Sequence, residues 1–209
     1  CSFVEIYLEK VYDLLQAWRE DLRIGNGERG EACVVGASEV CCLDVSDVYA
    51  LLARGNAYRT KASTDQNTDS SRSHAVFTLR LEKVNRENGT QLSSRLLLVD
   101  PAGSEVGRQK STRGKDTPTA FEGKMINASL ASLGNTVRAV LAEQGKAKAR
   151  NSSKNAPSPS KLAQLLRPCF GGNWFTTIIC TGSSSSYNIN ETINTLKFGQ
   201  QVREIRNTP

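Results

Sequence analysis

The chain has 209 residues, 38% hydrophobic and 23% charged, which suits one domain and excludes disorder over its whole length. No apolar run approaches the roughly 18 residues of a membrane-spanning helix, and nothing at the N-terminus reads as a signal or transit peptide. The net charge of +6 is local: residues 106–155 carry ten basic against three acidic side chains, and such a patch implies an acidic partner surface.

The chain opens at Cys1-Ser2-Phe3-Val4, already inside an apolar segment, so it reads as a piece of something longer. Ser2 to Leu8 is predicted as a strand leading into Val11 to Leu15. Gly25 to Glu31 is a polar turn, and Val34 to Leu43 is strand-like. Val45, Val48, Leu51 and Leu52 have helical spacing, with Asp44 or Ser46 as cap and Gly55 near the end. Lys61 to Ser73 is polar and loop-like, and Ala75 to Val84 alternates as a strand should. Ser94 to Asp100 is apolar on both faces, which predicts a central strand. Ile126, Leu130, Leu133, Val137 and Val140 mark an amphipathic helix. Ala147 to Ser160 is a basic Ser/Pro/Asn loop, and Leu162 to Phe170 a short helix closed by Gly171-Gly172. Phe175 to Thr181 reads as a buried strand, and Asn190 to Arg206 as a last helix with Ile193, Leu196, Val202 and Ile205 inward. Strands and helices alternate, so the class is α/β.

The six cysteines contain no Cys-x-x-Cys pair and His74 is the one histidine, which argues against a zinc site and for free thiols in a reducing compartment. Gly25-Asn26-Gly27-Glu28-Arg29-Gly30 fits a dinucleotide pattern, but a strand follows it where a helix N-terminus would have to receive the pyrophosphate. Residues 107–115 fail the phosphate-loop pattern, as do Gly123-Lys124-Met125 and Gly145-Lys146-Ala147; no phosphate-binding loop occurs in this sequence.

Two other stretches carry chemistry. Asn67-Thr68-Asp69-Ser70-Ser71-Arg72-Ser73-His74 precedes a strand, and Leu96-Leu97-Leu98-Val99-Asp100 runs into Pro101-Ala102-Gly103-Ser104-Glu105. A carboxylate at a strand's C-terminal tip is placed to hold magnesium through water. A glycine three residues on lets its amide approach a γ-phosphate. Serine hydroxyls can ligate the metal or orient water, and Arg72 and Glu105 could pair over the phosphate.

These stretches resemble switch I and switch II of the kinesin motor domain, Asn-x-x-Ser-Ser-Arg-Ser-His and Asp-Leu-Ala-Gly-Ser-Glu. Ser73-His74 and Ser104-Glu105 favour kinesin over myosin, and the guanine-reading Asn-Lys-x-Asp of GTP-binding proteins is absent. The strand running into Asp13-Leu14-Leu15, the helix around Ile126 to Asn135, the segment Ser160-Lys161-Leu162 to Asn173 and the final helix also match, in order. The resemblance implies a three-layer fold like that of the phosphate-loop NTPases, a mixed central sheet flanked by helices. The N-terminal strands and phosphate loop are missing from residues 1–209. Switch I would fall at about 61–74, switch II at about 100–125 and the microtubule-facing helices and loop at about 126–170.

By that resemblance the cofactors are ATP and magnesium. Ser70 and Asp100 would hold the metal, Asp100 through water, and the Gly103 amide would sense the γ-phosphate. Ser71, Arg72 and Glu105 would be the catalytic set, while His74 braces the switch loop. Lys110, Arg113, Lys115, Lys124, Lys146, Lys148, Arg150, Lys154 and Lys161 would face the acidic surface of tubulin. The implied setting is the cytoplasmic microtubule cytoskeleton, without nucleic acid or membrane. A homodimer would form through segments, coiled coil among them, that are not present here. Pro101 in place of the family's leucine fixes φ in a loop that must move. Ala128 replaces a usual lysine, and Pro157-Ser158-Pro159 replaces Tyr-Arg-Asp. The expected function is therefore a microtubule-based motor ATPase as part of a longer chain, inactive as this piece alone. The alternative is a non-catalytic, kinesin-like microtubule binder. A basic nucleic-acid module ranks last, because no aromatic residues interleave the basic ones to stack on bases.

Overall fold

The computed structural model describes residues 1–16, 22–27, 30–65, 70–103, 118–145 and 158–209. In chain order the strands are β1 (Ser2–Tyr7), β2 (Lys10–Asp13), β3 (Arg23–Asn26), β4 (Ala32–Val35), β5 (His74–Val84) and β6 (Gln91–Asp100). The α-helices are α1 (Val45–Asp65), α2 (Pro118–Glu143), α3 (Lys161–Leu166) and α4 (Ile189–Arg203). The chain divides into two compact units, residues 1–23 with 34–103 and residues 24–33 with 104–209. No described helix is long and apolar enough to cross a membrane.

The first unit is built on an antiparallel sheet of order β2-β1-β5-β6. β1 and β2 join through Leu8 and Glu9, both at positive φ, as a two-residue hairpin turn requires. β1 is buried on both faces: Phe3 and Glu5 on one, Val4 and Ile6 on the other. The Phe3 face is covered by α1. Phe3, Leu14, Leu15, Leu51, Ala75 and Phe77 form one core cluster, with the Phe3 and Phe77 rings edge-to-face at 5.4 Å.

The Asp44 carboxylate starts α1 by accepting from the amides of Ser46 and Asp47 at 2.7 and 3.1 Å. The helix does not stop at Gly55 as expected but runs to Asp65, taking in Lys61 to Asp65, which the sequence suggested were loop. Gly55 serves packing instead: a Cβ there would collide with the Phe3 ring, so the glycine lets helix and strand approach closely.

The expected strand Val34 to Leu43 shortens to β4, whose hairpin with β3 carries the Gly27 amide bond to the Glu31 carbonyl. A strand following that glycine-rich turn removes the dinucleotide reading. Beyond β4 the backbone is taken up by other partners: Ser38 N–H donates to Asp13 Oδ2 at 2.6 Å, and Val40 pairs with Cys1.

β6 is not central among the described residues. It pairs with β5 alone, its residues alternate between half-buried and exposed, and Leu92, Leu96 and Leu98 are about half exposed or more.

In the second unit α2 packs against α3 and α4. Ile126, Leu133, Val137 and Val140 are buried on α2, and Leu162, Ala163, Leu165 and Leu166 on α3. Ser160 caps α3 and ties it to α2. Its Oγ accepts from Ala163 N–H and donates to the Ser129 carbonyl, both at 3.2 Å, while its N–H donates to Ser132 Oγ at 2.8 Å. α3 ends at Leu166, short of the expected Phe170, and one 3₁₀ turn, Arg167–Cys169, carries the chain to Gly171 at φ +79°.

Two apolar segments differ from expectation. Phe175 to Thr181 forms no strand and exposes Phe175 and Ile179, because a strand exists only where a neighbour completes its hydrogen bonds. α4 ends at Arg203, short of the expected Arg206, and buries no residue fully; Ile193 and Leu196 are exposed, Val202 is half-buried, and Ile205 lies half-buried beyond the helix.

Candidate functional site

Register builds the site. Glu5 lies opposite Ala75, and Ala75 opposite Asp100, so two carboxylates flank a small residue in one row across three strands. They share the face that α1 covers. Arg59 stands four residues beyond Gly55 on that helix, and its guanidinium reaches both acids. Its Nη1 donates to Asp100 Oδ2 at 3.0 Å, and its Nε lies 3.6 Å from Glu5 Oε1. Nη2 donates to the Ser73 carbonyl at 2.9 Å and Nε to Ser73 Oγ at 3.3 Å, while Ser73 Oγ donates to Glu5.

Glu5, Arg59 and Ser73 are buried, whereas the Asp100 side chain is 74% exposed. Burial pushes the Glu5 carboxyl above its ordinary value, against the Ser73 hydrogen bond and the Arg59 charge, which lower it. His74 starts β5. Burial first, and the Arg59 charge second, push it down to about 4, with Asp100 acting in the opposite sense. A neutral His74 is therefore free to accept, and its Nδ1 takes the Ala102 N–H at 2.9 Å. That bond braces the loop after β6.

Ser70 to Arg72 form one turn of 3₁₀ helix. The Gly103 amide donates to the Ser71 carbonyl at 2.9 Å. Four expected site residues thus lie in two joined stretches: Ser71 and Arg72 in the 3₁₀ turn, and Asp100 at the end of β6 with Gly103 in the loop after it. Ser70 begins the 3₁₀ turn. Glu105, the expected partner of Arg72, lies outside the described residues. So do Lys110, Arg113, Lys115, Lys146, Lys148, Arg150 and Lys154. Lys124 is exposed on α2, and Lys161 opens α3 half-buried.

The residues fit a magnesium–nucleotide group. A carboxylate at a strand tip beside a serine-rich loop offers hard oxygen donors. Asp100 is exposed, with Oδ2 held by Arg59 and its orientation fixed. No group of three or more His, Cys, Asp or Glu converges among the described residues. Magnesium bound through one carboxylate, waters and substrate phosphates needs no such cage.

The sequence reading missed Glu5 and Arg59. The available signal was Glu5 itself, a carboxylate inside an apolar strand, which burial obliges to find a cation or donor.

Comparison with known proteins identifies the family. The family model for the kinesin motor domain matches residues 1–205. The kinesin heavy chain of Botryotinia fuckeliana is 40% identical over 207 residues, 99% of this chain and 22% of that protein. The Kinesin-1 heavy chain of Homo sapiens is 36% identical over 99% of this chain and 20% of that protein. The chain thus spans about a fifth of the length of these relatives. A solved structure described as a fast kinesin superposes with a TM-score of 0.82 at 36% identity. It covers 99% of this chain and 56% of that one, and it supports the α/β kinesin motor fold.

Proposed function

Because the chain belongs to the kinesin motor-domain family, we propose that it is the switch-bearing and microtubule-facing part of a microtubule-based motor ATPase. ATP and magnesium are its cofactors, tubulin its partner and the microtubule cytoskeleton of the cytoplasm its location. The observation that carries this reading is the bond from the Gly103 amide to the Ser71 carbonyl, which couples the two loops where nucleotide contacts would converge.

Bound magnesium–ATP would supply the γ-phosphoryl group that is transferred to water. Ser70 and Asp100 would hold the metal, Asp100 through water and oriented by Arg59. Ser71 would position the attacking water, and Arg72 would close on Glu105. The Gly103 amide, satisfied by Ser71 in this structure, would turn to the γ-phosphate in the triphosphate state. Its return to Ser71 after hydrolysis would release the segment leading into α2. Lys124 and Lys161, with the basic residues of 110–115 and 146–154, would meet the acidic tubulin surface. Dimerisation would come from segments outside this chain.

The test is microtubule-stimulated ATPase of the full-length protein. Stimulated turnover that Arg72→Ala abolishes supports the reading, and its absence in the wild type overturns it. A second reading, a nucleotide-blind microtubule binder, is favoured by Pro101, which removes an amide donor from the moving loop. Cosedimentation with microtubules that is equal in ATP and ADP would support that reading instead.

A further inference from the structure

Cys1 and Cys42 stand apart from the nucleotide chemistry. Their Sγ atoms lie 3.4 Å apart although 41 positions separate them in sequence. The Cys1 nitrogen donates to the Val40 carbonyl at 2.6 Å, and Val40 N–H donates back to the Cys1 carbonyl at 2.8 Å. Cys1 and Val40 are thus an antiparallel bridge, and Cys42, two residues on, lies on the same side as Val40. Both cysteines pack on the rim of the core cluster of Phe3, Leu51 and Phe77, and both are only half-buried. Cys42 belongs to the irregular run between β4 and α1. All six cysteines are free thiols, and the Cys1 and Cys42 sulfurs are in contact.

We propose that Cys1 and Cys42 form a reversible, peroxide-driven disulfide that staples the entry of α1 to the start of β1. Either thiolate attacks hydrogen peroxide, giving a sulfenic acid and hydroxide. The second thiolate then attacks the sulfenic sulfur, forming the S–S bond and expelling a second hydroxide, and the two protons lost by the thiols convert both hydroxides to water. Two thiols are oxidised and one peroxide is reduced. A dithiol reverses the step by exchange. Closing from contact to a bond of about 2.05 Å needs each sulfur to move by less than an ångström, which side-chain rotation and an irregular segment allow. The staple closes a long loop and narrows the unfolded ensemble, so it raises thermal stability. It also fixes the first turn of α1, the helix whose far part carries Arg59.

The experiment exposes the intact protein to hydrogen peroxide, blocks remaining thiols with N-ethylmaleimide and maps peptides without reduction. The expected result is a linked peptide joining Cys1 and Cys42, lost with dithiothreitol. It persists in Cys41→Ala and is absent in Cys42→Ala and in Cys1→Ala. The oxidised protein melts roughly 5–10 °C higher than the reduced one, and oxidised Cys42→Ala does not. Three results overturn the proposal: no linked peptide, a link made by Cys41, or a Cys1–Cys42 link without a rise in Tm.

Discussion

The amide of Gly103 donates to the carbonyl of Ser71 at 2.9 Å, so the loop after β6 and the serine-rich turn before β5 share one hydrogen bond. A donor that serves the protein in one state and a phosphate in another is a switch, because it cannot serve both at once. Gly103→Pro removes the donor. We expect a loss of about 1 kcal/mol in stability from the missing bond. The larger effect is on coupling: the ratio of microtubule affinities with an ATP analogue and with ADP should fall to near one. Cosedimentation of the full-length variant measures it, and an unchanged ratio would remove the Gly103 amide from the coupling.

What the sequence made legible was the local part of this arrangement. An apolar run marked β1, two-residue alternation marked β5, 3.6-residue spacing marked α2, and the Ser-Ser-Arg and Asp-x-x-Gly stretches marked the two loops. Arg59 was hidden because an arginine on a helix ordinarily reads as a solvated charge. Its role depends on register, which sets Glu5 and Asp100 on either side of Ala75. Gly55 misled for the opposite reason, since glycine signals a helix end as readily as a close approach. Phe175 to Thr181 is apolar enough for a strand, but composition says only that a segment wants burial, not which neighbour completes its hydrogen bonds.

Arg59 compensates a buried carboxylate, and that sets the sign of its removal. Arg59→Ala leaves Glu5 without its cation and Ser73 without two donors. We expect a loss of about 3 kcal/mol, chiefly from the unpaired Glu5, since the exposed Asp100 rehydrates. Adding Glu5→Gln should recover part of that loss, because the amide needs no counter-charge. A double-mutant cycle by urea unfolding reads the coupling between the two positions. Simple additivity would remove Glu5 from the network.

His74 gives the fold a pH dependence whose sign follows from its pKa. Burial and Arg59 hold it at about 4, below its ordinary 6.5, so the folded state binds a proton less readily than the unfolded one. Its contribution is complete above 6.5 and is lost as pH falls toward 4, about 3 kcal/mol in all. Glu5 works against it. With a raised pKa, Glu5 contributes most below its unfolded value and loses that contribution as pH rises through its folded one. The two separate by substitution: His74→Asn keeps an acceptor for Ala102 N–H and cannot titrate. The stability difference between wild type and His74→Asn should shrink or reverse between pH 6.5 and 4. A constant difference across that range would place the His74 pKa elsewhere.

Asn207 holds the chain beyond α4 against the end of α3. Its Oδ1 accepts from Gly171 N–H at 2.6 Å, and its Nδ2 faces the carbonyls of Cys169 and Trp174 at 3.0 and 2.7 Å. Thr208 N–H continues the attachment with a bond to the Gly172 carbonyl at 3.0 Å. Asn207→Ala removes donor and acceptor together, and we expect a loss of about 2 kcal/mol. Asn207→Asp keeps the acceptor for Gly171 but turns a carboxylate toward two carbonyl oxygens, so it should cost more than alanine at pH 7. Lowering the pH until the new carboxyl is protonated should remove that excess. Denaturant unfolding of both variants at pH 7 and at pH 4 tests the order. An aspartate variant more stable than the alanine one at pH 7 would mean that the Gly171 contact, not the two carbonyls, dominates this attachment.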